Sequence, residues 1–122
     1  MSSIHSILLA QKGTAGAWRI EQRAANHKGL YHHGTLVVGW RNDDNGNLTY
    51  LEAGMGWGSV SDQNGINQAI GRLLPFPSPF YLSRRNGAHW ERVNETPPGW
   101  EETTWFPIRK GEFTGFSLEK TS

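Results

Sequence analysis

The feature that most constrains the fold is a pair of strand-like runs joined by Asn45-Gly46. The runs TLVVGWR and NLTYLEA lie within residues 35–53 and are rich in β-branched and aromatic residues. An Asn-Gly pair between such runs predicts a type I′ turn, because both residues tolerate positive φ. The turn predicts one buried apolar face, with Trp40 opposite Leu51, Val38 opposite Ala53, and Leu36 further along.

The other face of this hairpin is predicted to meet solvent. It carries Gly39, Arg41, Tyr50 and Glu52, so an aromatic ring lies across from a cation. We therefore expect this hairpin to border the core on one side only.

A second hairpin is predicted around Asn86-Gly87, between PFYLSRR and AHWERV. Pairing outward from that turn defines two faces. One face would hold Tyr81, Ser83, Arg85, Ala88, Trp90 and Arg92, and the other Phe80, Leu82, Arg84, His89, Glu91 and Val93. We expect Phe80 and Val93 to enter the core, while the tip, 84–89, projects into water.

A helix is predicted between the hairpins. Its apolar positions follow helical spacing at Ile66, Ala69, Ile70, Leu73 and Leu74. N-caps are offered by Ser59, Ser61 and Asp62, and Pro75 forces an end. Gly65 and Gly71 weaken the helix, so it must depend on packing against the sheet.

The remaining segments are predicted to complete an antiparallel sheet. Residues 4–10 and 16–22 are read as strands joined at Lys12-Gly13, with a short helix over 16–25 as the alternative. A closing hairpin is expected from 103–108 and 112–118, while 24–34 and 94–100 are read as loops. The predicted fold is one α+β domain over residues 1–122, a mostly antiparallel sheet of hairpins with one amphipathic helix.

Composition excludes several classes of protein. The chain has 122 residues, no Cys and a formal net charge of +1, so it offers neither disulfides nor a strong general field for nucleic acid or membranes. The N-terminal apolar run, Ile7 to Leu9, is too short for a signal or a membrane span. We expect a cytoplasmic protein with no membrane association. Exposed strand edges are compatible with a homodimer.

Patterns for metal, nucleotide or catalytic sites are incomplete. The calcium-loop spacing around Asp43 fails because its first position is Arg41. His27, His32 and His33 are too poorly spaced for a zinc site. GMGWGS lacks the Lys of a phosphate loop, although it leads into a helix N-terminus that could hold an anion. No nucleophile lies in a suitable elbow, so no catalytic residue, metal or cofactor is predicted.

The predicted working surface combines rings and guanidinium groups, which are enriched at protein interfaces and also contact unpaired bases. Trp57, Trp100 and Trp105 lie in or beside Gly- and Pro-rich connections and either cover the core or form an exposed patch. The alternative for Tyr81 and Trp90 is that they belong to the core, with the arginines at its rim. The predicted partner-binding residues are Tyr81, Arg84, Arg85, His89, Trp90, Arg92, Trp57 and Trp100.

Three functions are consistent with these sequence features. The first is a non-enzymatic binding or inhibitory module that acts by protein contact, as small phage or mobile-element inhibitors of a larger host machine do. The second is a single-stranded nucleic-acid-binding protein that uses the same Arg and aromatic hairpin. The third is a small enzyme of unknown reaction built around the histidines.

Overall fold

A seven-stranded antiparallel sheet covered on one face defines the architecture of the computed structural model, which describes residues 3–85, 87–105 and 115–121. Two helices and a two-stranded sheet form the second layer, which confirms the predicted α+β class. The helices are α1 (Ile4–Ala10) and α2 (Val60–Leu73), and the strands are β1 (Gly13–Ala15), β2 (Trp18–Ala24), β3 (His27–His32), β4 (Thr35–Asn42), β5 (Leu48–Gly54), β6 (Phe80–Ser83), β7 (His89–Arg92), β8 (Trp100–Trp105) and β9 (Gly115–Lys120).

The large sheet runs in the order β1-β2-β3-β4-β5-β9-β8, and the small sheet is β6-β7. Strands β1 to β5 form a meander in which each strand pairs with the next one along the chain. Strand β9 then pairs with both β5 and β8, so β8 becomes the edge. The predicted closing hairpin thus exists as β8 and β9, while its connection near Lys110-Gly111 lies outside the described residues.

The core lies between the covered face of the large sheet and the second layer. Trp40, Leu51 and Leu118 project from neighbouring strands and are fully buried. The ring of Phe116 on β9 lies 4.8 Å from that of Phe80, so the small sheet is docked by aromatic packing. We call this side of the large sheet the inner face and the other side the outer face.

The first hairpin has the predicted register but a different turn. Val38 pairs with Ala53 and Trp40 with Leu51, as predicted. The Gly46 amide donates to the Asp43 carbonyl, and within the loop between β4 and β5 only Gly46 has positive φ, at 83°. The loop therefore has three residues and a left-handed glycine, not a type I′ pair. A bulge between Arg41 and Asn42 restores the register that the shorter turn would have set.

Leu36 lies on the outer face, so its predicted place beside Val38 is wrong. The β3–β4 register shifts between Leu30 and Tyr31, and Val37 is the extra residue in β4. Both Val37 and Val38 are buried as a result. A bulge turns the side chains on one side of it to the opposite face, which a regular alternation cannot anticipate.

Helix α2 forms as predicted, with Ser59 as its N-cap. The Ser59 side chain accepts from the Asp62 amide, and the Asp62 side chain accepts from the Ser59 amide, which makes a capping box. The apolar stripe is buried at Ile66, Ala69 and Ile70. The helix ends before Leu74, which takes an extended conformation ahead of Pro75.

Two segments differ from their predictions. Residues 4–10 form α1, because Ser3 caps the segment and Ile7 and Leu8 bury one side of it. The predicted loop 24–34 contains β3, which pairs along its whole length with β2 and β4. The strand predicted over 16–22 is confirmed from Trp18 onward, where it belongs to β2, and its helical alternative is wrong. Weak local propensity in β3 is overridden by its two neighbouring strands.

The two helical glycines give a matched test of this packing. A Cβ added at Gly65 would lie 2.2 Å from a ring carbon of Trp18, whereas one at Gly71 would meet nothing within 4 Å. We expect Gly65→Ala to destabilise the fold by about 1–3 kcal/mol through overpacking. Gly71→Ala should stabilise it by up to about 1 kcal/mol, because alanine favours helix. Urea unfolding of both variants measures this, and equal effects would contradict the packing of α2 on Trp18.

Candidate functional site

The Asn67 side chain on α2 binds the backbone of the second hairpin. The Asn67 side chain accepts from the Leu82 amide and donates to the Leu82 carbonyl, each at 2.9 Å. These two hydrogen bonds satisfy the backbone amide and carbonyl of Leu82 in β6, as a neighbouring strand would. The position of the hairpin relative to the helix is thereby fixed.

The register of this hairpin differs by one residue from the prediction. Leu82 pairs with Trp90 and Ser83 with His89, so the predicted grouping of Tyr81 with Trp90 on one face is wrong. The core explains the shift, because Leu82 and Trp90 are both buried and must share a face. Asn86, which was to supply the turn, lies outside the described residues.

Trp90 and Trp100 serve the core. Trp90 is only 8% exposed and meets Phe116 edge to face, with ring centroids 5.0 Å apart. Trp100 is half-buried and packs in the same way against Phe76. For these two tryptophans the structure supports the core alternative, so they contribute little to any exposed contact surface.

Arg92 also has a structural position. Its guanidinium stacks over the Phe80 ring at 4.6 Å and forms an ion pair with Glu102 on β8. The Glu102 contact raises the pKa of Arg92 and lowers that of Glu102. Arg92 thus joins the small sheet to the edge of the large one. Val93, predicted to be core, is exposed, whereas Phe80 is buried as predicted.

The other predicted residues lie together at one end of the second layer. Trp57 is 82% exposed in the loop before α2, and Tyr81 is exposed on the outward side of β6. Beside them are the exposed Arg84 and Arg85. Val60, which is not among the predicted partner-binding residues, is exposed in the first turn of α2. We call Trp57, Val60, Tyr81, Arg84 and Arg85 the tip surface.

Two contacts hold the parts of the tip surface together. A Cβ built on Gly58 would lie 2.9 Å from the Ala88 side chain, so the loop and the hairpin tip touch. The Gln63 side chain donates to the Tyr81 hydroxyl at 3.5 Å. Gln63 is three residues after Val60 and therefore shares its side of the helix. Positive φ at Gly58, 74°, lets the chain turn so closely to the hairpin.

The tip surface is basic. Neither Arg84 nor Arg85 forms an ion pair with any residue in the described ranges. His89 lies on the same side of the hairpin as Tyr81. Its imidazole forms hydrogen bonds with the Gly87 carbonyl and the Glu91 carboxylate, and these hydrogen bonds raise the pKa of His89. Two guanidinium groups are thus left to meet an external partner.

The glycine-rich loop does not offer an anion site, because the chain supplies its own anion. The Asp62 carboxylate accepts from the backbone amides of Trp57 and Ser59, at 2.9 and 3.3 Å. Its other oxygen lies 2.6 Å from Nδ1 of His32. The donors that a phosphate would use are therefore occupied.

The three histidines do not converge on one site: the rings of His32 and His33 are neighbours, with centroids 4.4 Å apart, but His27 lies at the other end of β3. His32 is 5% exposed and stacks on Trp18, with centroids 3.8 Å apart. His27 lies on the outer face, where burial and then Arg23 and Arg41 lower its pKa. His33 is exposed in a left-handed turn. Across the described residues, no group of three or more metal-ligating side chains is placed to hold an ion.

The His32–Asp62 pair resembles two parts of a catalytic triad, but its surroundings are structural. Asp62 also caps α2 and the preceding loop, and Trp18 covers the imidazole. Neither partner makes a described hydrogen bond that joins the imidazole to a Ser or Thr hydroxyl. The pair therefore connects α2 to β3 and offers no activated nucleophile.

Comparison with known proteins gives no relative from which a role could be transferred. The chain matches no protein-family model, no curated protein and no solved structure. Neither helix in the described part of the chain has the length and apolar character needed to cross a membrane.

Removal of the Asp62 charge should change stability and its dependence on pH. Burial opposes ionisation of this carboxyl, but bonds from His32, Ser59 and Trp57 outweigh it, so its pKa is lowered. The ionised form therefore stabilises the fold above about pH 3.9, its unfolded pKa, and this contribution is lost as pH falls through the folded pKa. We expect Asp62→Asn to cost about 3 kcal/mol at neutral pH.

Urea unfolding between neutral and acidic pH measures both effects. The Asp62→Asn variant should lose less stability on acidification than the unaltered chain. The exposed Asp44→Asn variant is the control and should retain the stability of the unaltered chain at neutral pH. An Asp62→Asn variant with unchanged stability and acid response would refute the structural role of the pair.

Proposed function

We propose that this protein is a non-enzymatic binding or inhibitory module that acts by protein contact through its tip surface. The observation that carries the proposal is the Trp57 ring, 82% exposed beside Arg84 and Arg85, which have no described ion-pair partner. Leaving an indole in water is unfavourable, and its burial against a partner would recover that free energy. Trp, Tyr and Arg are also the residue types that dominate binding hot spots.

The proportion of apolar to positively charged groups on the tip surface favours a protein partner over a nucleic acid. Trp57 and Val60 supply apolar area, whereas only the guanidinium groups of Arg84 and Arg85 supply positive charge. Nucleic-acid affinity depends on many phosphate contacts, and the chain as a whole carries a formal charge of only +1. The Trp90 ring, which would have stacked on a base, is buried.

The expected partner has an apolar pocket for the Trp57 ring and carboxylates beside it for the arginines. Such contact can block a surface of a larger machine without any chemistry, and small phage or mobile-element inhibitors act in this way. The absence of Cys suits the reducing cytoplasm, where we propose that the protein works.

The test is partner capture at low salt from cells that make the protein, followed by affinity measurement with the purified partner. Trp57→Ala should weaken binding roughly 30-fold, the effect of losing a hot-spot ring. Arg84→Glu with Arg85→Glu should weaken it further and reduce its salt dependence. Leu9→Ala, which removes an exposed apolar side chain from α1, is the matched control and should bind normally.

Two results would defeat the proposal. One is capture of no specific protein; the other is equal affinity of the Trp57→Ala and Leu9→Ala variants for the captured protein. Titration with short single-stranded oligonucleotides, followed by Trp emission, examines the competing function. A salt-dependent change in emission that disappears in the Arg84→Glu, Arg85→Glu variant would favour nucleic-acid binding instead.

A further inference from the structure

The outer face of the large sheet is divided by charge. Its β2–β3–β4 half holds three arginines together with Glu21, which forms an ion pair with Arg19 at 2.9 Å, and its β5–β9–β8 half holds three glutamates, as the strand pairing shows. The arginines are Arg19, Arg23 and Arg41, and the glutamates are Glu52, Glu119 and Glu101. We call these the basic half and the acidic half.

Several of these charges lack a partner. Arg41, Glu101 and Glu119 form no ion pair with any residue in the described ranges. Arg41 instead lies over the Tyr50 ring at 5.0 Å. The contacts between halves are weak, since Arg23 and Glu52 are 3.7 Å apart and partly exposed.

A cleft lies on the outer face where the two halves meet, over β4 and β5. Leu36 and Trp105 form walls, and Gly39 and Gly54 leave space between them, in a volume of about 160 Å³. An engineered cavity of about 150 Å³ holds a benzene ring, so this cleft fits one aromatic side chain. Trp105 is 43% exposed at its rim.

We propose that two copies of this chain associate face to face through their outer faces, with the basic half of each over the acidic half of the other. A two-fold axis along the strands, between β4 and β5, produces this arrangement because it exchanges the halves. Strand β4 then lies over β5 of the second copy, β3 over β9, and β2 over β8. Such an isologous contact closes as a dimer and leaves no free interface.

The register brings complementary groups together along that axis. Arg23 at one end of β2 lies over Glu101 of the second copy, and Arg19 at the other end lies over the Trp105 ring. On β3, Tyr31 lies over Gly115, which pairs with Gly54 at the floor of the cleft. Within its own copy the Tyr31 ring lies under the Arg19 guanidinium, at 4.7 Å, so this pair packs as a unit beside the cleft of the other copy.

The available area is sufficient for a weak but specific dimer. Six strands about 4.8 Å apart and about 20 Å long present about 600 Å² per copy. Specific interfaces begin at about 1,200 Å² in total. Two stacked antiparallel sheets with strands within about 30° of each other are a common packing arrangement.

Charge reversal and mixing test this dimer in the full chain. Sedimentation up to about 100 μM, a range suited to an interface of this area, should show twice the 13.7 kDa of one chain. The acid-reversed variant, Glu101→Lys with Glu119→Lys, and the base-reversed variant, Arg23→Glu with Arg41→Glu, should each sediment as monomers. An equimolar mixture of the two should form a heterodimer, because both contacts become attractive again.

Thermal melts of each variant establish that it is folded, so loss of the dimer cannot be confused with unfolding. About 1 M salt should weaken the unaltered dimer, since the screening length then falls to about 3 Å. A monomeric unaltered chain at low salt, dimeric reversal variants, or a mixture that stays monomeric would each overturn the proposal. Trp57→Ala should leave the dimer intact, which separates this result from the test of the tip surface.

Discussion

The buried Asp62 carboxylate holds together three parts of the chain that are distant in sequence. It caps α2, closes the glycine-rich loop through the Trp57 amide, and bonds to His32 on β3. A buried carboxylate is costly unless its oxygens are satisfied, so loop, helix and strand must be placed together. Trp18 then stacks on His32 and reaches the helix where Gly65 leaves room.

The exposure of Trp57 follows from the same arrangement. Its amide donates to Asp62, and positive φ at Gly56 and Gly58 on either side sets the course of the chain. The backbone is thus held inward while the indole points into water. A ring held on a fixed backbone loses little entropy on binding, so this arrangement suits the proposed contact between Trp57 and a partner.

The sequence was informative where local pattern and burial agreed. The α2 stripe and the Trp40/Leu51 pairing were predictable because helical spacing and strand alternation were regular there. The bulge at Val37 and the one-residue shift that buries Trp90 were not, since both depend on which side chains the completed core accepts. In α1, the spacing of Ile4, Ile7 and Leu8 is helical, but the segment is so short that a strand was predicted instead.

The kinds of residue in the candidate site were predictable from the sequence, but which individual residues come together there was not. Tyr81, Arg84 and Arg85 were found from the hairpin alone, because charged tips face water in most folds. Val60 could not be found in that way, since it joins the surface only through the docking of the hairpin on α2 by Asn67. The absence of Trp90 and Trp100 from that surface could not be predicted either, because it results from their packing against Phe116 and Phe76.

The two proposed contacts use opposite sides of the molecule. The tip surface belongs to the layer on the inner face, whereas the divided charges lie on the outer face. A face-to-face dimer would therefore cover the sheet and leave both copies of Trp57 exposed, on layers that point away from each other. Two such surfaces on one particle gain avidity only for partner sites spaced to match them. A partner built from repeated subunits would fit that geometry, whereas a monomeric partner would gain nothing from the second copy.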